Sequence, residues 1–138
     1  IIIAVLCVLG LVSALDAQEK KGVMTLSSKE FKTKVYDISA KNPEYLGSKP
    51  AIVDFYASWC GPCRAISPVL EELAKEYGDK IVIYKVDVDA SRDIAQAFGI
   101  RSIPAVLFIP MKGEAQMTVG GRSKEDFKKQ IDTILLGK

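Results

Sequence analysis

The chain of 138 residues is the right length for one domain around one core, and its 49% hydrophobic content is raised by the first fifteen positions. Nineteen basic and seventeen acidic residues give a net charge of +2, and the charges are scattered singly, so no basic run or aromatic-interleaved patch asks for nucleic acid. The sequence has no histidine and three cysteines, whereas a structural zinc site wants four ligands, so no metal site is expected.

Residues 1–15, IIIAVLCVLGLVSAL, are apolar apart from Gly10 and Ser13 and end at small residues, Ser13, Ala14 and Ala17, before the charged QEKK. This pattern reads as the apolar and cleavage regions of a secretory signal peptide, cut after Ala14 or Ala17. The run begins at Ile1, so a charged start is expected upstream of it, and a longer run would be an uncleaved membrane anchor. Residues 1–17 are therefore assigned to a signal peptide or anchor, 18–22 to a polar linker and 23–138 to the domain. Cys7 reads as one more apolar residue, because Val5-Leu6 before it lack the small side chains that lipid attachment needs. An exported domain works where disulfides persist. There the remaining pair, Cys60 and Cys63, closes too small a loop to constrain the unfolded chain, so it is not a structural framework.

In chain order, SSKEF offers Ser27 as an N-cap with Glu30 three residues later, a capping box opening a helix that buries Phe31 and Val35. KNPEYLGSKP is turn-rich and reads as an exposed loop. AIVDFYA, 51–57, is apolar except for Asp54, as expected of a central strand covered on both faces. After Cys60-Gly61-Pro62-Cys63, the spacing of Ile66, Val69, Leu70, Leu73 and Tyr77 predicts a helix ended by Gly78 and kinked at Pro68. A second strand is expected over 80–88, then a short helix capped by Ser91 and stopped at Gly99. Strands over 105–109 and 115–119 form a hairpin, and Ser123 caps a last helix with Phe127, Ile131, Ile134 and Leu135 inward. The order predicts an α/β fold with a mixed central sheet flanked by helices on both faces.

Asp54 in an apolar strand, Trp59-Cys60-Gly61-Pro62-Cys63 after it, the Pro-containing helix and Ile100-Arg101-Ser102-Ile103-Pro104 before a strand together resemble the thioredoxin family over roughly 23–138. A bare CxxC is a weak signal; in this setting it is specific. The resemblance implies the thioredoxin fold and a thiol-disulfide oxidoreductase that reduces protein disulfides, with no cofactor. Arg64 stands where lysine is usual in the family, which preserves the charge, and the loop near 39–50 is longer than in a minimal thioredoxin.

A thiol attacks a disulfide only as its thiolate. Cys60, just before a helix, meets unpaired N–H groups and the positive end of the helix dipole and is the expected nucleophile. Cys63, one turn in, is the expected more buried partner, and its spacing makes the second exchange intramolecular. Pro62 lacks an N–H and removes a possible donor to the thiolate, so Gly61-Pro62 points to a reducing couple. The resemblance gives Asp54 a part in moving the proton of the buried thiol, and Lys85 the part of its paired lysine. A core carboxylate with structural partners and an exposed strand lysine are the plain alternatives. It also implies a cis bond at Ile103-Pro104 and main-chain pairing of Ile103 with an extended substrate. Trp59, Gly61, Pro62, Ile103, Pro104 and the flexible Gly120-Gly121 then form a shallow contact surface.

The leading reading is an exported, monomeric reductase acting on disulfide-containing proteins, fed by a membrane electron-donor protein or a thioredoxin reductase. A disulfide oxidase or isomerase of the same fold is favoured by the compartment and disfavoured by Gly61-Pro62. A non-catalytic binding module is disfavoured by the presence of Cys60, Cys63, Asp54 and Ile103-Pro104 together.

Overall fold

The computed structural model describes residues 22–138; the apolar segment and most of the linker lie outside the described residues. Five strands form one sheet in the order β1-β3-β2-β4-β5. The strands are β1 (Val23–Thr25), β2 (Ala51–Tyr56), β3 (Val82–Asp87), β4 (Ala105–Ile109) and β5 (Gln116–Val119). The first three run parallel, and β4 and β5 are antiparallel to their neighbours. The sheet is therefore mixed, as the β/α alternation followed by a hairpin requires.

Helices α1 (Ser28–Lys34) and α3 (Arg92–Ala97) cover one face; α2 (Gly61–Tyr77) and α4 (Lys124–Gln130) cover the other. Side chains alternate across a strand, so β2 serves both cores. Ala51, Val53 and Phe55 pack with Phe31, Val35 and Ile94. Ile52 packs with Ile66, Leu70, Leu73, Phe127 and Ile131 on the other side. Asp54 shares the parity of Ile52, which places it on the α2 face. In the pairing register its neighbours are Lys85 and Val106.

The helix starts follow local chemistry. Ser27 and Glu30 form the full reciprocal capping box, and the Ser123 hydroxyl accepts from the Asp126 N–H at 3.2 Å. Ser91 occupies the N-cap position of α3, but its side chain makes no capping bond. Instead Ser91 is buried and its N–H donates to the Asp87 carbonyl. Helix α2 continues through Pro68, and Gly78, at φ +52°, ends it in the left-handed region that glycine tolerates. After α4 the chain makes a π turn, Ile131–Leu135, which buries Ile131 and Leu135. Among the described residues no helix is long and apolar enough to cross a membrane.

Candidate active site

The carboxyl end of β2 delivers the chain from Tyr56 directly into Cys60 and the start of α2. Cys60 is the N-cap, Gly61 and Pro62 fill the first two helical positions, and Cys63 is the third. Proline is tolerated there because the first N–H groups of a helix have no partner within it. The two cysteines form a disulfide with Cα atoms 5.3 Å apart. The Cys63 N–H donates to Cys60 Sγ at 3.2 Å. That bond and the helix N-terminus both favour negative charge on Cys60 once the pair is reduced.

The expected contrast in burial between the cysteines is not present: Cys60 is 4% exposed and Cys63 3%. In the disulfide each sulfur covers the other, and Ala57, Tyr56, Val88 and Ile103 close around them. What separates the two is position. Cys60 lies in the turn beside Trp59, which is 67% exposed, whereas Cys63 lies on the helix side facing the sheet.

Trp59 is held outward by its indole Nε1–H, which donates to Asp89 Oδ2 at 2.8 Å. Asp89 belongs to the turn after β3, and this turn is itself fixed by Asp87 Oδ1, which accepts from the Asp89 and Ala90 amides at 2.8 and 3.3 Å. Sequence reasoning missed Asp89, since nothing in VDVDAS announces which carboxylate a tryptophan thirty positions earlier will meet.

The Ile103-Pro104 bond is cis. Ile103 packs on the cysteine pair and Pro104 is buried. The Pro104 carbonyl accepts from the Gly120 N–H at 2.8 Å. Gly120, expected to be flexible, is thus anchored, and its φ of +97° explains the glycine. Trp59, Gly61 and Pro62 are exposed and Ile103 and Gly120 half-buried, so the structure brings the predicted contact residues to one end of the sheet around the disulfide. A cleft of about 530 Å³, lined by Thr33, Lys34, Leu46, Asp79 and Tyr84 among others, includes none of them.

On the α2 face of β2, Asp54 is fully buried, and among the described residues neither of its carboxylate oxygens has a hydrogen-bond partner. Burial pushes its pKa up to about 6, and the Lys85 cation opposes this only in part. The direct Asp54–Lys85 ion pair implied by the family resemblance is not formed: among the described residues no ion pair links them. Lys85 Nζ instead donates to Ser67 Oγ at 3.2 Å and sits 4.3 Å from the centre of the Tyr56 ring. Ser67 is four residues after Cys63 and so occupies the same helix face, directed at the sheet. A buried carboxyl whose pKa is raised by burial is a group able to take up or release a proton.

The thioredoxin family model matches residues 22–133. The chain belongs to the thioredoxin family. It is 42% identical over 109 residues to a thioredoxin of Borreliella burgdorferi, a match covering 78% of this chain and 93% of that one. It is 43% identical over 91 residues to a chloroplastic M-type thioredoxin of Pisum sativum, where the match covers 65% of this chain and 53% of the pea protein. A solved structure of chloroplastic thioredoxin z superposes with a TM-score of 0.69 at 26% identity, covering 82% of this chain and 94% of that one. With the Cys60/Cys63 pair in place, this thioredoxin is a disulfide oxidoreductase that acts on disulfide substrates.

Proposed function

We propose that this thioredoxin runs in the reducing direction on protein disulfides. The reading is carried by Gly61-Pro62 between the cysteines at the start of α2, where Pro62 brings no N–H to the Cys60 thiolate and so leaves the dithiol the better electron donor. The Cys60 thiolate attacks a substrate disulfide, forming a mixed disulfide and expelling one substrate sulfur as a thiolate, which takes a proton from water. Cys63 loses its proton and attacks Cys60 Sγ, forming the Cys60–Cys63 disulfide and expelling the second substrate thiolate, which takes up the proton that Cys63 gave. Two electrons leave the dithiol and two substrate thiols are formed.

Asp54 is the acceptor for the Cys63 proton in this scheme. Lys85, held by Ser67 and Tyr56, is a nearby cation that keeps the carboxyl from rising further. Trp59, Gly61, Pro62 and Gly120 supply the contact surface, and the main chain at Ile103-Pro104 pairs with an extended substrate. Electrons enter and leave as thiols, so the cycle needs a dithiol donor, a thioredoxin reductase or a membrane relay protein, rather than a bound cofactor. The composition of residues 1–15 supports a targeting segment ahead of a domain over 23–138, and with it an exported location.

The test is single-turnover reduction of a disulfide-bonded protein, such as insulin, by protein pre-reduced and freed of reductant. The expected result is two substrate thiols per oxidised Cys60/Cys63 pair, with Cys60→Ser inactive and Cys63→Ser trapped as a mixed disulfide. Turnover by Cys60→Ser would remove the reading.

A further inference from the structure

Asp54 and Lys85 stand opposite one another in the parallel pairing of β2 with β3. Both belong to the α2 face, since Asp54 shares the parity of Ile52 and Lys85 that of Ile83, and these two isoleucines pack with the buried side of α2. Opposite charges so placed on one sheet face ordinarily meet. Here the Lys85 ammonium goes elsewhere: Nζ donates to Ser67 Oγ at 3.2 Å and lies 4.3 Å from the centre of the Tyr56 ring.

Both of these partners are fixed by the frame of the site. Ser67 is half-buried on α2, one turn after Cys63 and just before Pro68. Tyr56 follows Asp54 by two positions, so it shares that face, and it packs against Ala57 and the two cysteines. The other titratable groups on this face are the disulfide cysteines, Tyr56 itself, Asp87 and Glu71. Asp87 Oδ1 accepts from the turn amides, and Glu71, one turn beyond Ser67, lies against Gly22 at the start of β1. The remaining sheet neighbours, Val106 opposite Asp54 and Thr25 opposite Lys85, carry no charge. Among the described residues, Lys85 is therefore the cation whose position acts on Asp54.

We infer that Ser67 is a positioning residue: with the Tyr56 ring it holds the Lys85 ammonium on α2 and off the Asp54 carboxyl, which keeps Asp54 the stronger acceptor for the Cys63 proton. The inference rests on the reductase reading above and adds the residue that tunes its base. A cation in direct contact stabilises a carboxylate and makes it a weaker base, and the effect falls with distance. With Ser67 in place, the ammonium opposes the effect of burial on Asp54 only in part. Without the hydroxyl, the half-buried ammonium loses its hydrogen-bond acceptor and turns to the carboxylate across the sheet.

The experiment follows the Asp54 carboxyl by carbon-13 NMR between pH 4 and 9 in oxidised wild type, Ser67→Ala, Ser67→Thr, Lys85→Met and the double variant S67A/K85M. The Asp54 midpoint is expected to fall by about one pH unit in Ser67→Ala, as a newly formed ion pair requires. Ser67→Thr, which keeps the hydroxyl, should keep the wild-type midpoint, and S67A/K85M should titrate with Lys85→Met. Pre-reduced Ser67→Ala should also reduce insulin severalfold more slowly than wild type in a single turnover. An Asp54 midpoint that is unmoved in Ser67→Ala, or that falls equally when Lys85 is already methionine, overturns the inference and leaves the reductase reading standing. Failure of the pre-reduced wild type to reduce insulin overturns both.

Discussion

Replacing Asp54 by asparagine should stabilise this thioredoxin at alkaline pH and leave it unchanged in acid. The folded pKa of about 6 lies above the 3.8 of a free aspartate, so between these values the folded protein holds a proton that the unfolded chain has released. Folding is then most favourable below about pH 4 and weakens as pH rises to about 6, after which the loss is complete. A shift of roughly two units at 1.36 kcal/mol each corresponds to about 3 kcal/mol. Asparagine has nearly the same shape and cannot ionise, so that loss is absent. In oxidised protein the variant should gain about 3 kcal/mol over wild type at pH 8 and close to nothing at pH 4. Urea denaturation of both proteins across pH 4–8 reads the difference directly. Stability curves that stay parallel across the range would show that Asp54 is not held above its ordinary pKa, and the proton acceptor behind Cys63 would have to be another group. The same variant should slow single-turnover reduction on the order of tenfold or more, as expected for loss of a positioned base.

Lys85→Met removes the cation that, among the described residues, pulls the Asp54 pKa down, so the pH midpoint of the reduction rate should move upward; an unmoved midpoint would mean that Lys85 acts through Tyr56 and Ser67 alone. Ser27→Ala and Ser123→Ala each delete an N-cap bond and should cost about 1 kcal/mol in urea denaturation, with no change in the exchange rate. Phe127→Ala, at a fully buried position that joins α4 to the sheet, should cost about 3–5 kcal/mol by the same measurement.

Much of the fold was legible because the signals are local. The capping box at Ser27, the cap at Ser123, the Gly78 stop and the apolar run 51–57 each depend on neighbours within a few residues. Strand β1 was not read, since three residues show no periodicity and Val23–Thr25 is a strand only because β3 lies beside it. Ser91 holds the cap position of α3 without a capping bond, because it is buried with its N–H tied to the Asp87 carbonyl, a contact that local spacing does not announce. At the site, the identities of Cys60, Cys63, Asp54 and Pro104 were legible through the family motif, but their partners were not. Lys85 meets Ser67 and Tyr56, and Trp59 meets Asp89, through contacts across the fold that spacing along the chain does not encode.

The central claim is that the Cys60/Cys63 couple is reducing, and its equilibrium reduction potential tests this most directly. The purified protein is equilibrated in dithiothreitol or glutathione buffers, and the dithiol fraction is read by thiol trapping. A value near that known for thioredoxins, about −270 mV, and no higher than about −230 mV, is the predicted result. A value between about −180 and −120 mV, the range of proteins that make or reshuffle disulfides, would contradict the account and reverse the direction of the reaction.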